Sequence, residues 1–413
     1  MPQSDHMDIG VFGVRGIPST YSGFETFLTA LLPELARRGH RVTIYCRRYV
    51  PRGDGAGTYS GVRQVWLPSI ATKQLDTLTH GWLCAAAAMI PPRSHDAMLV
   101  CNVANAPACR VITRAGIPVI LNTDGQEWLR GKWGLAARTY FRWCASIAGS
   151  SATALVSDCN AMRAVYLSEF KAESSVIPYC WESIDSSTDR PNGPSMPTLL
   201  SELAVEKRRF FVAGGRLVPE NNVEVIAEGY ARTDVPLPLL VLGTANYNSS
   251  ARRKLRALEH DDGRIRLVGH VASRARYRAL ISSALAYLHG HSVGGMNPSL
   301  VEAMAAGALI AALDTPFNRE VLGAPGIYFQ RSTSSISNIV TELGTLDAAL
   351  ATEIRTGNRR RAMSNFPLSA IAEAYESLLG SVSDRGTRAR PVRMTTRWEE
   401  PLLSRRDVEP GDD

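Results

Sequence analysis

The segment that most constrains the fold is residues 289–307, which reads as a strand end, a glycine loop and a short helix. Asn297 is a favourable residue for capping the start of a helix. Gly294 and Gly295 let backbone N–H groups approach a ligand closely, and the helix start behind them favours negative charge. The segment therefore predicts a seat for an anion such as a diphosphate. An ordinary loop of an α/β fold is the alternative.

Short apolar runs typical of buried strands alternate with helical patterns, which predicts parallel, doubly wound α/β sheets. A chain of 413 residues exceeds the size of a single core, so we expect two such domains facing each other across a cleft. In these sheets ligands bind beyond the carboxyl ends of the strands. The predicted strands are residues 8–12, 41–45, 62–66, 97–101, 118–121, 152–156, 174–177, 209–213, 237–242, 265–268, 286–289 and 309–313.

Changes in composition along the chain indicate the domain organisation. A stretch rich in Ser, Asp, Pro and Gly indicates a linker, and the end of the chain lacks apolar periodicity. The predicted parts are an N-terminal domain over 1–185, a linker over 186–206, a C-terminal domain over 207–365, a helix over 366–383 and a disordered tail over 384–413.

Composition also argues against several classes of protein. Hydrophobic residues make up 45% of the chain, and no apolar run reaches the ~18–20 residues of a membrane-spanning helix. The first residues are polar and acidic, unlike a signal peptide. The 7 cysteines lack the spacing of a zinc or redox site, which predicts reduced core thiols in a cytosolic protein.

A second segment, residues 209–230, reads as a buried strand followed by Gly-Gly-Arg, a turn and a helix. Together the two segments resemble the donor-binding domain of retaining family 4 glycosyltransferases, which have the GT-B fold. Arg216 and Glu302 match the family's Gly-Arg-x-x-x-x-Lys and Glu-x7-Glu motifs. Asn221 and Gly294 stand where the family has the Lys and the first Glu.

The N-terminal half resembles the same family, most specifically in residues 21–27 and 122–133. These runs are similar to a subgroup that builds bacterial surface polysaccharides and includes several rhamnosyltransferases. In that subgroup the variants at residues 219–222 and 292–299 look usual. The resemblance covers residues 8–380, and within it the missing Lys and Glu do not imply an inactive enzyme.

On the donor side, the resemblance implies that Arg216 binds the diphosphate of a nucleotide sugar and that Glu302 binds hydroxyls of its ribose. A guanidinium can hold phosphate oxygens bidentately and stabilise charge on the leaving group. The alternatives are a surface arginine at a strand end and a glutamate on a helix surface. Further candidates for substrate binding are Gly294, Gly295, Asn297, Ser299, Glu220 and Asn221.

On the acceptor side, Asp124 and Glu127 follow the predicted strand 118–121. Asp124 is a candidate to orient or deprotonate the acceptor hydroxyl. A turn role is the alternative, because Asp-Gly is a common turn pair. Ser22 and Gly23 occupy the position of the family's first glycine loop, against the donor phosphates or the acceptor.

Two histidines, His289 and His291, flank Gly290 at a predicted strand end. One of them contacts the donor sugar where the family glutamate is missing, or both are structural. No cluster of residues has metal-ligand spacing. The resemblance implies a reaction on one face of the sugar, with no protein nucleophile, no metal and no cofactor besides the nucleotide-sugar donor substrate.

Residues 128–148 interleave tryptophans with basic residues and contain no carboxylate. Such a stretch fits an anionic membrane surface and an acceptor glycan carried on a lipid diphosphate. It predicts a cytoplasmic protein that is peripheral on the inner face of the cell membrane. A core helix with a basic outer face is the alternative. The net charge is +7, but no nucleic-acid-binding module is legible, so no nucleic-acid partner is expected.

The leading hypothesis is a retaining, metal-independent glycosyltransferase that moves a hexose or deoxyhexose, with L-rhamnose as one candidate, to a glycan acceptor. The donor is a nucleotide-diphosphate sugar and the pathway is bacterial surface polysaccharide synthesis. Two alternatives remain. One is another GT-B enzyme, such as a sugar-nucleotide epimerase or a phosphorylase, and the other is a non-catalytic GT-B scaffold.

Overall fold

Two largely parallel β-sheets, each flanked by helices, form the molecule. The computed structural model describes residues 6–18, 23–50, 57–72, 75–91, 95–182, 196–244, 250–271, 273–385 and 392–399. The predicted α/β architecture, with two facing Rossmann-like domains, is confirmed.

The N-terminal sheet has eight strands in the order β3-β4-β2-β1-β5-β6-β7-β8, and only β3 and β4 pair antiparallel. Because β1 lies between β2 and β5, the strand order reverses there, which opens a crevice at the carboxyl ends of these strands. The elements are β1 Asp8–Phe12, α1 Gly23–Arg37, β2 Arg41–Arg47, β3 Thr58–Tyr59, β4 Val62–Leu67, α2 Asp76–Met89, β5 Ala97–Cys101, α3 Ala106–Arg114, β6 Val119–Asn122, α4 Leu135–Ser151, β7 Ala154–Ser157, α5 Asn160–Phe170 and β8 Ser175–Val176.

The C-terminal sheet has six parallel strands in the order β11-β10-β9-β12-β13-β14. Its strand order reverses at β9, between β10 and β12. The elements are α6 Met196–Glu202, β9 Phe211–Gly214, α7 Val223–Ala231, β10 Leu239–Leu242, α8 Ser250–Asp261, β11 Ile265–Gly269, α9 Arg274–Ser283, β12 Ala286–His289, α10 Pro298–Ala305, β13 Ile310–Leu313, α11 Pro316–Leu322, β14 Ile327–Phe329, α12 Thr333–Gly344, α13 Ala348–Asn365 and α14 Leu368–Arg385.

The predicted strands are all present, because each is a short apolar run whose residues are mostly buried between helices. The sequence analysis missed β3 and β14, which have two and three residues. Runs this short show no periodicity, so sheet pairing rather than local pattern defines them.

The C-terminal helix α14 returns to the N-terminal domain and packs beside α1. The hydroxyl of Tyr375 accepts a hydrogen bond from Asn122 Nδ2 at 2.9 Å, at the end of β6. Glu376 lies 2.9 Å from His40 Nε2 and 3.0 Å from Arg38 Nη1. The last helix therefore joins the two domains a second time, in addition to the chain between them.

The expectation of a disordered tail over 384–413 is corrected for residues 392–399. The N–H of Val392 donates to the Thr153 carbonyl at 2.7 Å, and the Trp398 indole donates to the Asn365 carbonyl at 2.6 Å. Individual hydrogen bonds hold this segment, and they leave no periodic pattern in the sequence. Residues 386–391 and 400–413 lie outside the described part of the chain, as do 183–195 of the linker region, whose end forms α6.

A carboxylate of the C-terminal domain accepts hydrogen bonds from the start of a helix in the N-terminal domain. Glu320 on α11 accepts hydrogen bonds from the N–H groups of Asn160 and Ala161, at 2.6 and 2.9 Å, where α5 begins. It also accepts one from Asn160 Nδ2 at 2.7 Å. The first N–H groups of a helix have no partner within it, and a negative charge there is favourable. Glu320 therefore caps a helix of the opposite domain.

We predict that Glu320→Ala lowers the thermal unfolding midpoint, because loss of such a cap costs about 1–2 kcal/mol. Differential scanning calorimetry on Glu320→Ala beside the wild type measures the change. The matched control is Glu353→Ala, which removes an exposed carboxylate from α13. Equal midpoints for the Glu320 variant and the wild type would show that this contact adds nothing to the domain interface.

Candidate active site

The crevice of the C-terminal domain lies where the loops after β9 and β12 diverge. The glycine loop, residues 290–297, leads from β12 into α10. Asn297 caps that helix, since its Oδ1 accepts the Ser299 N–H at 3.0 Å and the Ser299 hydroxyl at 2.7 Å. Gly294 has a φ of +103°, which glycine adopts without strain. The predicted cap and helix start are therefore confirmed.

The opposite wall of the crevice is the cleft loop, residues 123–133, which follows β6. A Cβ built on Gly125 would lie 2.8 Å from the Cα of Gly294, so the two backbones touch. The same Cβ would lie 3.2 Å from Arg130 Nη2, and one built on Gly294 would lie 3.3 Å from that atom. The two domains thus meet at the glycine loop, as the facing-domain prediction requires.

Sequence reasoning missed Asp158, which follows β7 and lies against the glycine loop. A side chain at Gly295 would collide with both of its carboxylate oxygens, and the N–H of Met296 donates to this carboxylate. Burial, with repulsion from Asp124 and Glu320, raises the pKa of Asp158 to about 8. In the sequence, a functional role for Asp158 is indicated by its place just after the predicted strand 152–156, at the end of the strand where ligands bind.

Glu302 faces the cleft from α10, and its side chain is only 4% exposed. Its carboxylate pairs with Arg274 at 2.8 Å and lies 3.9 Å from Arg278 Nε. This burial and pairing exclude the alternative of a helix-surface glutamate. A small cavity beside the pair is also lined by Gly23 and Trp181 of the N-terminal domain. Arg274, which begins α9, had no recognisable motif in the sequence.

Arg216 lies in the loop after β9 and is exposed. Its guanidinium has no partner among the described residues, whereas its carbonyl accepts a hydrogen bond from Asn221 Nδ2 at 2.7 Å. Asn221 Oδ1 also lies 2.9 Å from His291 Nδ1. Asn221 therefore links the loop of Arg216 to the glycine loop. The guanidinium is open to an anion, while the surface-arginine alternative is not excluded by this geometry.

Both candidate histidines are neutral. Burial lowers the pKa of His289 to about 3. Burial, followed by repulsion from Arg130, holds the pKa of His291 well below its usual range. His289 Nδ1 lies 3.2 Å from the Tyr287 hydroxyl, and its Nε2 has no hydrogen-bond partner in the described chain. His291 is already engaged by Asn221, so His289 keeps the freer nitrogen for a ligand.

Glu220 is buried in the turn after Arg216, and neither carboxylate oxygen has a hydrogen-bond partner within the described residues. Its backbone carbonyl accepts hydrogen bonds from the N–H and the hydroxyl of Ser292, at 2.9 and 3.0 Å. The turn is thereby fixed to the glycine loop. A buried carboxylate without donors is costly, and a ligand hydroxyl would offset that cost.

Asp124 occupies a left-handed conformation, with φ of +55°, directly after β6. Its N–H donates to Asn122 Oδ1 at 3.0 Å, which agrees with the turn role. Asn102 after β5 is also left-handed, and its amide lies 3.4 Å from Asp124 Oδ2. Burial raises the pKa of Asp124. Backbone strain at the ends of two neighbouring strands is typical of functional positions, so the acceptor role stays a prediction alongside the turn role.

Glu127 is held by three groups of its own loop. The Trp133 indole donates to its carboxylate at 2.7 Å, and Arg130 and Lys132 form ion pairs with it at 2.7 and 3.1 Å. Burial alone would raise the pKa of Glu127. The positive charges of Arg130 and Lys132 outweigh this effect, so the pKa is lowered and the carboxylate stays ionised. Its carboxylate therefore organises the cleft loop, and direct substrate contact stays a prediction.

The stretch 128–148 presents its side chains in different directions. Trp128 is buried, and Arg130 and Lys132 turn towards Glu127 in the cleft, whereas Trp143 of α4 is exposed. Contact of this stretch with a membrane surface stays a prediction.

Gly23 begins α1 and lies against α10, since a Cβ at Gly23 would lie 2.9 Å from Pro298 Cγ. The predicted approach of this loop to the anion seat thus agrees with the structure, although Ser22 lies outside the described residues. Across the described ranges, no group of three His, Cys, Asp or Glu side chains is arranged to hold a metal ion.

Two domain families match the chain. The glycosyl transferase 4-like domain matches residues 22–179, and the glycosyl transferases group 1 domain matches residues 200–336. Together these matches span more than half of the chain and coincide with its two domains. The chain therefore belongs to the glycosyltransferases that combine these two domains. No curated protein matches it in sequence.

Solved glycosyltransferase structures share the fold over nearly the whole chain. HepE of Anabaena, crystallised with UDP, is 16% identical with a TM-score of 0.66, over 91% of this chain and 100% of that one. Sucrose-phosphate synthase of Thermosynechococcus elongatus is 16% identical with a TM-score of 0.73, over 92% and 100%. UDP-forming trehalose-phosphate synthase of Burkholderia vietnamiensis is 11% identical with a TM-score of 0.69, over 91% and 100%. At these identities the likeness shows the GT-B fold alone.

We predict that Asp158→Asn stabilises the protein relative to the wild type as pH rises. An unfolded aspartate has a pKa of about 3.9, so the raised folded pKa of about 8 favours the protonated form. The wild type thus loses stability from this group between those two values, and the asparagine does not titrate.

The measurement is the difference in melting temperature between Asp158→Asn and wild type at pH 5 and at pH 8.5. A larger difference at pH 8.5 is expected. Asp261→Asn is the control, because that carboxylate is 75% exposed. A difference that does not change with pH would contradict the burial of a protonated Asp158.

Proposed function

We propose that this protein is a retaining glycosyltransferase that transfers a hexose or deoxyhexose from a nucleotide-diphosphate sugar to a glycan acceptor. The observation that carries the proposal is the crevice between the two domains. There the capped glycine loop, the open guanidinium of Arg216 and the buried Glu302–Arg274 pair lie at the ends of β9 and β12. L-rhamnose is among the candidate sugars, and bacterial surface polysaccharide synthesis is the proposed pathway.

The proposed reaction depends on stabilising the negative charge that develops on the leaving group. As the glycosidic bond breaks, negative charge grows on the bridging oxygen of the nucleoside diphosphate. Arg216 and the N–H groups of the glycine loop stabilise this charge, and preorganised donors of this kind usually contribute more to catalysis than any other single effect. A leaving phosphate oxygen accepts the proton of the acceptor hydroxyl, which Asp124 orients from the other wall. The proposed reaction uses the chain's own cations in place of a metal and needs no cofactor besides the donor substrate.

A UDP-sugar is the first donor to test, because HepE has been crystallised with UDP-glucose. A thermal-shift panel should also include dTDP-, GDP- and ADP-sugars, since a ligand that binds only the folded state raises its apparent stability. Release of nucleoside diphosphate on adding a polyprenyl-diphosphate-linked glycan would then separate transfer from a scaffold role or from epimerisation. A phosphorylase would instead require inorganic phosphate.

We predict that Arg216→Ala lowers the transfer rate at saturating donor by about 100- to 1000-fold, because the developing charge loses its guanidinium. The assay follows release of nucleoside diphosphate in the presence of acceptor. Arg209→Ala is the control, since that arginine is 64% exposed and lies before the same strand. Turnover close to wild type in the Arg216 variant would remove this residue from the mechanism.

Contact with an anionic membrane surface is proposed for the outer face of α2, α3 and α4. Each of these consecutive helices exposes a large apolar residue, namely Trp82, Val111 and Trp143. Their only carboxylate is Asp76, which pairs with Arg47. Arginines on α3 and α4 add positive charge to this face. Within the described parts of the chain, no helix is both long and apolar enough to span a bilayer. We therefore propose a cytoplasmic enzyme that rests on the inner membrane face and meets a lipid-linked acceptor there.

We predict that replacing Trp82 and Trp143 together by serine lowers partition onto vesicles containing phosphatidylglycerol by at least about tenfold, because two large apolar side chains no longer enter the interface. Vesicle flotation at two salt concentrations measures this partition, and the bound fraction should fall as the salt concentration rises. The control replaces the exposed Leu350 and Met363 of the C-terminal domain. If the wild type stays in solution at low salt, the proposed membrane contact is wrong.

A further inference from the structure

Two cationic side chains of the N-terminal domain lie beside the donor-binding loops of the C-terminal domain. Arg130 Nη2 would lie 3.3 Å from a Cβ on Gly294, in the glycine loop. Gly131 lies against Pro219, since a Cβ built there would be 4.0 Å from the proline ring. Lys132 is the next residue in the chain. The cleft loop therefore lies across both loops that flank the C-terminal crevice.

A single carboxylate orients both cations. Glu127 Oε1 lies 2.7 Å from Arg130 Nε, and Glu127 Oε2 lies 3.1 Å from Lys132 Nζ. The ammonium of Lys132 also lies 4.8 Å from the ring centroid of Trp133. The lysine side chain is 27% exposed, so it is packed in a defined place rather than free in solvent. Both cations therefore share this carboxylate, and Asp124 and Glu220 add negative charge near Arg130.

The loop of Arg216 approaches the cleft loop from the C-terminal domain, since Pro219 lies against Gly131. Burial lowers the pKa of Lys132, attraction to Glu127 opposes this, and repulsion from Arg130 and Arg216 adds to the lowering. Three cations of the two domains thus converge here, and an anion between Lys132 and Arg216 would relieve their repulsion. The expected anion in this crevice is the diphosphate of the donor.

Building on the proposed function, we propose that Lys132 binds a diphosphate oxygen of the donor from the wall opposite Arg216. It thereby supplies, from the other domain, the cation that Asn221 does not. Asn221 is committed to joining its own loop to the glycine loop, with hydrogen bonds at 2.7 and 2.9 Å. Arg130 holds the cleft loop against Gly294 and acts as a positioning residue.

The consequence is that the diphosphate is recognised by both domains at once. A donor bound to the C-terminal domain alone meets Arg216 and the glycine loop, and it gains Lys132 only when the cleft is closed. Donor binding then favours the closed arrangement, since a ligand shifts a population by its difference in affinity for the two states. The nucleoside part of the donor is not expected to sense Lys132.

The test compares Lys132→Gln with wild type by isothermal titration calorimetry, using UDP, dTDP, GDP and ADP and the matching nucleosides. For the diphosphate that binds wild type, we expect affinity to fall about tenfold or more, because a charge-assisted contact is lost. Affinity for its nucleoside and the melting temperature should stay near wild type. Lys207→Gln is the control, because it removes the same charge from an exposed position ahead of β9.

A second measurement uses the wild type alone, so that it does not depend on how the variant folds. Limited acetylation followed by peptide mass spectrometry should show that the diphosphate protects Lys132, while the nucleoside does not. Equal diphosphate affinity in Lys132→Gln, or equal acetylation with and without diphosphate, would overturn the inference while leaving the proposed function intact. If no diphosphate binds wild type, the proposed function fails and the inference fails with it.

Discussion

The contact between the backbones of Gly125 and Gly294 is the constraint on which the rest of the cleft depends. A Cβ on Gly125 would lie 2.8 Å from the opposing Cα, so a side chain there would separate the two walls. Next to this contact, Asp158 lies against Gly295 and Arg130 lies beside Gly294. The glycines thus act as spacers between the domains, in addition to their proposed role in binding an anion.

Carboxylates at helix starts hold the same closed arrangement from both sides. Glu320 of the C-terminal domain caps α5, and Asp158 of the N-terminal domain accepts the N–H of Met296 just before α10. Glu320 therefore satisfies donors that α5 itself leaves unpaired, and Asp158 satisfies a donor of the glycine loop. Both residues are acidic, and repulsion from Glu320 contributes to the raised pKa of Asp158.

Local sequence patterns predict the structural features that depend on interactions between residues close together in the chain. The strands, the Asn297 cap and the start of α10 follow from apolar runs and capping preferences, and the structure contains them. Pairings between distant segments follow from no such pattern. Arg274 and Glu302 come from different elements, and neither spacing nor composition links them. Residues 392–399 were likewise missed because single hydrogen bonds to the body hold them. Local pattern places Lys132 in the basic stretch 128–148, and nothing in that pattern predicts the ion pair with Glu127 that turns this lysine inward.

The energetics of closure suit an enzyme that must release its product. A continuous cluster of buried apolar residues runs through both domains, and hydrogen bonds such as those from α5 to Glu320 add to it. Each such hydrogen bond contributes only about 0.5–1.5 kcal/mol net, because water replaces the partner when the cleft opens. Diphosphate binding that differs by a few kcal/mol between the open and closed forms would shift the balance between them. In the proposed mechanism, loss of the diphosphate after transfer leaves Lys132 and Arg216 without an anion between them, and their repulsion then favours opening.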